Sequence, residues 1–132
     1  MKGLDTNLIV RLLTNDDPFQ SALVARLVDE GDPDEHYFVN AIVIVEVAWT
    51  LRKAYRWERR WILTAIEKLA LHPRIDLEDR NDVLEAIKAS ANGLGDFADL
   101  LIALRNRSKG CATTLTFDKQ ASRYSEFTIL EA

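Results

Sequence analysis

Cysteine and histidine are almost missing from this chain: Cys111, His36 and His72 are the whole complement in 132 residues. A lone cysteine has no intramolecular disulfide partner, which fits a reducing compartment. Three such ligands far apart in sequence offer no Cys/His zinc arrangement, so soft-metal chemistry is not expected. The three prolines and five glycines are scattered, leaving no low-complexity stretch or linker to mark a boundary, and no internal repeat is visible. No window reaches the roughly 18 uninterrupted apolar residues of a membrane span. The opening Met1-Lys2-Gly3-Leu4-Asp5 lacks the apolar core of a signal peptide. A cytoplasmic protein of one domain, residues 1–132, is expected, large enough for a real hydrophobic core and too short for two ordinary ones.

Apolar residues make up 48% of the chain, and charged residues 29% with a formal net charge of −4. That balance argues weakly against a general nucleic-acid coat, yet the charge is uneven. Arg52, Lys53, Arg56, Arg59 and Arg60 form one basic cluster, and Arg105, Arg107 and Lys109 a second, whereas residues 29–35 are acidic. The plain interpretation of the basic clusters is solvated helix faces.

Gly3-Leu4 ends a short first strand, and Asp5-Thr6-Asn7 is a strand-to-helix turn in which Thr6 or Asn7 caps a helix over 8–13. Asp17-Pro18 opens a helix to about Val28 with Phe19, Leu23 and Leu27 at four-residue spacing. A strand over 37–39 leads to Asn40, which caps a helix over 41–55 that is apolar nearly all round and should be largely buried. Further helices are expected over 57–71 and from Asp79 or Asn81 to the break at Asn92-Gly93-Leu94-Gly95. Another follows from an Asp96 cap, with Leu100, Leu101 and Leu104 facing the core. Strands are expected at 75–77, 111–114 and 127–130, with Cys111 as a small buried strand residue and a short helical turn within 117–124. Alternating strands and helices indicate an α/β domain with a mainly parallel sheet and helices on both faces.

Five carboxylates stand out from apolar or helix-start surroundings: Asp5, Glu46, Asp96, Asp99 and Asp118. Glu46 is the sharpest case, inside an apolar helix where a buried unpaired charge costs on the order of 5 kcal/mol. In a parallel α/β sheet, sites form beyond the carboxyl ends of the strands, and each of the five stands where it can reach that edge. Gathered there, they would repel by roughly 4 kcal/mol per pair, a penalty that a divalent cation removes. Oxygen ligands without Cys or His select Mg²⁺ or Mn²⁺ over Zn²⁺. The matching chemistry is hydrolysis of a phosphodiester by an activated water, with Glu46 or Asp118 as an alternative base or outer support. The hydroxyls of Thr6, Thr114 and Thr116 are candidates for orienting water or substrate phosphate, and Asn7 is a further supporting residue.

Leu4-Asp5-Thr6-Asn7, Val45-Glu46-Val47-Ala48-Trp49, the stretch from Asp96 through Asp99 to Ala103, and Thr114-Leu115-Thr116-Phe117-Asp118 resemble, in order and spacing, the motifs of PIN-domain nucleases. More closely, they resemble the VapC-type toxins of toxin–antitoxin pairs. The resemblance implies a three-layer α/β/α domain with a five-stranded sheet ordered 3-2-1-4-5. It also implies an Mg²⁺- or Mn²⁺-dependent endoribonuclease, a homodimer and a small antitoxin partner. Carried over by position, Asp5, Glu46, Asp99 and Asp118 are the acidic site, Asp96 is an auxiliary carboxylate and Thr116 supports Asp118. The run Asp118-Lys119-Gln120-Ala121 lacks the Asp-Phe that often follows in relatives. Arg52, Lys53, Arg56, Arg105 and Arg107 become candidate RNA contacts.

Plainer roles stand beside these. Asp5 and Asp96 suit helix caps, Asp99 an ion pair with Arg105, Asp118 a turn, and Glu46 a pair with Arg52 or Lys53. Trp49, Trp57 and Trp61 suit core or dimer contacts better than base-stacking platforms. An Asp5-based phosphatase would place Asn7 where a second acid is usual. A non-catalytic RNA- or protein-binding module on the same fold would use the acids to dock an arginine-bearing tail.

Overall fold

The computed structural model describes every residue from Met1 to Ala132, and these form two compact units, Met1–Arg80 and Asn81–Ala132. The first contains β1 (Lys2–Gly3), α1 (Thr6–Leu13), α2 (Pro18–Glu30), β2 (Tyr37–Val39), α3 (Ala41–Lys53), α4 (Arg59–Leu71) and β3 (Ile75–Leu77). Its strands form a parallel sheet ordered β1-β2-β3, with Tyr37 opposite both Lys2 and Ile75. Parallel neighbours need crossover connections, which the helices supply. The ladder continues past the strands: Leu4 N donates to Phe38 O at 2.9 Å and Glu78 N to Val39 O at 2.9 Å.

Side-chain oxygens start the first three helices by accepting otherwise orphaned amides. Asp5 accepts from Leu8 N at 3.1 Å, Asp17 from Gln20 N at 3.1 Å ahead of Pro18, and Asn40 from Val43 N at 3.0 Å. At α3 a second acceptor assists, because Glu78 Oε1 takes the Ala41 amide at 2.8 Å. Replacing Asn40 by Ala should cost about 1 kcal/mol, read as a lower midpoint in urea unfolding. α1 packs on α2 and α3, α3 on α4, and α4 on β3. Ile9, Ile44, Val47, Leu51 and Ile66 are wholly enclosed between them.

The second unit holds α5 (Arg80–Ala91, from Asn81 onward), α6 (Phe97–Ser108), β4 (Thr114–Thr116), a 3-10 turn at Ala121–Arg123, and β5 (Phe127–Ile129), which pairs parallel to β4. Gly93 ends α5 at φ 78°, where Leu94 N returns to Ala89 O at 3.1 Å and only glycine is unstrained. Ser108 Oγ donates to both oxygens of the buried Asp82 carboxylate, at 3.0 and 2.9 Å. Leu100, Leu101 and Leu104 are buried as expected.

The α/β class is as expected, but the hydrogen bonds define a three-stranded sheet, 3-2-1, and a two-stranded sheet, 4-5, in place of one five-stranded ladder. Several boundaries also move. α1 begins at Thr6 because Asp5, not Thr6 or Asn7, is its cap. α4 begins at Arg59 because the chain at Trp57 is still closing α3, its amide bonded to Leu51 O at 2.9 Å. β4 starts at Thr114 because Cys111 N folds back to Asn106 O at 3.0 Å; Cys111 is exposed and lies outside the strand. α2 buries Val24 and Val28 and leaves Phe19 72% exposed, so the stripe at four-residue spacing is not its core face. α3 is not enclosed all round either, with Ile42 67% and Trp49 64% exposed. No helix is long and apolar enough to cross a membrane.

Candidate active site

Asp5 follows β1 directly and is exposed, with Oδ1 holding the Leu8 amide. Capping and ion binding are compatible, because a carboxylate has about four acceptor sites and the cap engages one. In the next residue, Thr6 Oγ1 donates to Glu46 Oε2 at 3.1 Å, joining the first turn of α1 to α3. Glu46 is therefore oriented by a hydroxyl rather than by Arg52 or Lys53. It is also exposed, so the burial cost expected of it does not arise. A cavity of about 600 Å³ opens beside Asp5, lined by Asn7, Leu8, Arg11, Gln20, Leu23, Val24 and Leu27.

Arg11, which belongs to none of the acidic motifs, is part of these surroundings. Its Nε donates to Gln20 Oε1 at 2.8 Å and its Nη1 to Asp16 at 3.3 Å and Tyr55 Oη at 3.3 Å, while Tyr55 donates to Asp16 in turn. The Tyr55 hydroxyl holds the Asp16 carboxyl below its ordinary value; desolvation opposes it, and the Thr14 hydroxyl and Arg11 add to the lowering. The available clue was local: Arg11 is polar within the otherwise apolar run Leu8–Leu13.

In the second unit, Asp96 caps α6 by accepting the Asp99 amide at 3.4 Å. Asp99 is half-buried one turn in. Its carboxyl is raised above the ordinary carboxylate value, first by burial and then by the negative charges of Asp96 and Asp118. Asp118 is held in a tight turn: Oδ1 accepts from Gln120 N at 2.8 Å and Ala121 N at 3.4 Å, and its own amide donates to Thr116 Oγ1 at 3.0 Å. Thr116 thus fixes the backbone of Asp118, whereas the Thr114 hydroxyl accepts from Asn106 Nδ2 at 3.0 Å.

Each unit carries its own acids, Asp5 and Glu46 in the first, Asp96, Asp99 and Asp118 in the second. Neither unit alone gathers three His, Cys, Asp or Glu side chains closely enough to ligate one ion. As the side chains stand, the carboxylates around Asp99 act on one another through space, and Coulomb repulsion reaches farther than a metal–oxygen bond. The chemistry of the donors fits a hard divalent cation. They are oxygen ligands, and excess negative charge at Asp99 is what such an ion relieves.

The basic candidates separate. Arg52 and Lys53 are exposed in the last turn of α3, and Arg105 is half-buried on α6. Arg56 adopts a left-handed backbone, φ 57°, costing a non-glycine residue roughly 1–2 kcal/mol. Arg107 is engaged by Glu85 at 2.8 Å and Glu126 at 3.1 Å, so it serves the second unit's internal ties before any ligand. Trp49 and Trp61 are more than half exposed, which removes them from the core.

Comparison with known proteins agrees with the motifs. The chain is similar to the VapC ribonuclease of Aquifex aeolicus (strain VF5), 25% identical over 120 residues, covering 91% of this chain and 89% of that protein. The PIN domain family model matches residues 3–126, and the chain belongs to the PIN domain family.

Proposed function

We propose that this chain is a metal-dependent endoribonuclease, the toxin of a toxin–antitoxin pair, and that residues 1–132 act as one nuclease domain in the cytoplasm. The carrying observation is Asp99, whose carboxyl is raised first by burial and then by the charges of Asp96 and Asp118, an arrangement that costs a protein stability unless a cation uses it. The ordered motifs and the similarity to a VapC ribonuclease supply the reaction class.

In this proposal Asp5, Glu46, Asp99 and Asp118 hold Mg²⁺ or Mn²⁺, with Asp96 as an auxiliary carboxylate. When bound, the ion supplies charge neutralisation at the phosphate and activation of water. The protein's part is orientation. Thr6 fixes the Glu46 carboxylate toward the first turn of α1, where Glu46 can take a proton from water. The amides of Gln120 and Ala121, with Thr116 beneath, hold the Asp118 carboxylate in one rotamer. Asn7, on the cavity beside Asp5, and Thr114 are available to substrate phosphate or water. Arg52, Lys53, Arg56, Arg105 and Arg107 neutralise the RNA backbone in this proposal, Arg107 while held by Glu85 and Glu126.

A second copy of the chain and a small antitoxin protein complete the assembly we propose, the antitoxin suppressing cleavage by occupying the acidic pocket. Incubating the purified chain with labelled RNA tests the function: cleavage should appear with Mg²⁺ or Mn²⁺ and stop with chelator. Cleavage indifferent to chelator would oppose it, and tight RNA binding without turnover would favour a binding module.

A further inference from the structure

A second cavity, of about 730 Å³, lies at the other end of α1 from Asp5 and has no part in the acidic chemistry. Leu12, Leu13 and Ala65 give it an apolar surface, Trp57 and Trp61 line it with indoles, and Arg56 and Lys68 add positive charge against one acid, Glu58. Asp5 caps the start of α1 and Leu13 is its last residue, so about 12 Å of helix separates them.

Three features of this cleft are unusual for a surface needed only for folding. Trp61 is 53% exposed, with the Arg60 guanidinium stacked at 4.8 Å from its ring centroid, so a large aromatic and a cation form one platform in solvent. Arg56 closes α3 from the left-handed conformation and lines the cleft, so a cation stands at the turn between α3 and α4. The charge is local: residues 52–68 carry Arg52, Lys53, Arg56, Arg59, Arg60 and Lys68 against Glu58 and Glu67, a net of +4 in a chain whose formal charge is −4. Glu58 is itself paired with Arg60 at 3.1 Å. With Glu58 already tied to Arg60, the two lining cations Arg56 and Lys68 beside an aromatic, apolar floor complement a polyanion with unstacked flat bases. The cleft suits an acidic or purely apolar protein surface less well, because the first lacks a planar partner for the indoles and the second leaves the cations unpaired.

We propose that the cleft between the end of α1 and the start of α4 binds single-stranded RNA away from the acidic residues, with an unpaired base stacked on Trp61 and its phosphates met by Arg56 and Lys68. The identity of the polyanion as RNA rests on the function proposed above; the cleft itself does not depend on catalysis.

Binding is therefore measured in EDTA, by fluorescence anisotropy of a labelled single-stranded RNA of about eight nucleotides, a length within the footprint of one small binding fold. Trp61→Ala should weaken affinity about tenfold or more, Trp61→Phe should recover most of it, and Lys68→Gln should reduce the salt dependence of log K by about 0.7. Phe19→Ala, at a still more exposed aromatic outside the cleft, should bind as wild type does, and circular dichroism should report an unchanged fold for each variant. Wild-type protein that fails to bind, or Trp61→Ala that binds as wild type does, would overturn the proposal. So would a Trp61→Ala variant that alters oligomeric state at unchanged RNA affinity, which would make the cleft a contact between copies. Loss of affinity in Trp61→Ala together with an absence of metal-dependent cleavage would retain the cleft and remove the nuclease assignment.

Discussion

Replacing Asp99 by Asn is expected to lower metal-dependent RNA cleavage by at least about a hundredfold in kcat, roughly 3 kcal/mol of transition-state stabilisation, with the fold retained. Asn is close to isosteric and keeps one oxygen, so the helix position survives while the charge that holds a cation is lost. Asp99 neither caps α6 nor sits in its fully buried face, and Asp96 remains to cap the helix. Asp5→Ala should reduce cleavage comparably but also costs about 1 kcal/mol of stability through the lost cap, so Asp5→Asn separates the two effects. Thr6→Val should fall between, about tenfold, because it frees the Glu46 carboxylate without removing it. Single-turnover cleavage of a labelled RNA at saturating Mn²⁺ measures all of these.

The same substitution should change how stability responds to pH and metal. In the folded protein Asp99 holds its proton to higher pH than in the unfolded chain, because burial and the charges of Asp96 and Asp118 oppose ionisation. The folded state then binds more protons than the unfolded state as pH rises through the Asp99 titration. Its contribution is fully present below the unfolded carboxylate range and is lost above the raised value. Above that raised value and without metal, ionised Asp99 is therefore a destabilising group, and Asp99→Asn should melt higher than wild type. A cation at a hundredfold excess over its Kd should add about 2.7 kcal/mol to wild type, a Tm rise on the order of 10 °C, and little to the variant. Thermal melts of both proteins with EDTA and with Mn²⁺ decide it. A wild type that melts at the same temperature with and without metal would contradict a cation role for Asp99.

What the sequence disclosed was governed by local physics. Asn40 and Asp96 were identifiable as caps because a short polar acceptor before an apolar helix has one geometry available. The strands over 37–39 and 75–77 were legible from β-branched, aromatic and alternating residues. Exposure was less legible: the surroundings of Glu46 in sequence are apolar, yet a helix turns 100° per residue, and Glu46 shares the outer side of α3 with Ile42 and Trp49. The pairing of Arg107 with Glu85 and Glu126, and of Thr6 with Glu46, depends on contacts 19 to 40 residues apart, which no local pattern encodes. The order of the acidic motifs disclosed the family; the charges acting on Asp99 required coordinates.

The central claim is that these acids support hydrolysis of RNA by water. Its most direct test is mapping of product ends from RNA treated with wild type and Asp99→Asn in parallel, with Mn²⁺ and with EDTA. Water as nucleophile predicts specific wild-type cuts in Mn²⁺ whose products carry no 2′,3′-cyclic phosphate, and none in EDTA or from the variant. Cuts that persist in EDTA with cyclic phosphate ends, or that Asp99→Asn makes as readily as wild type, would contradict it.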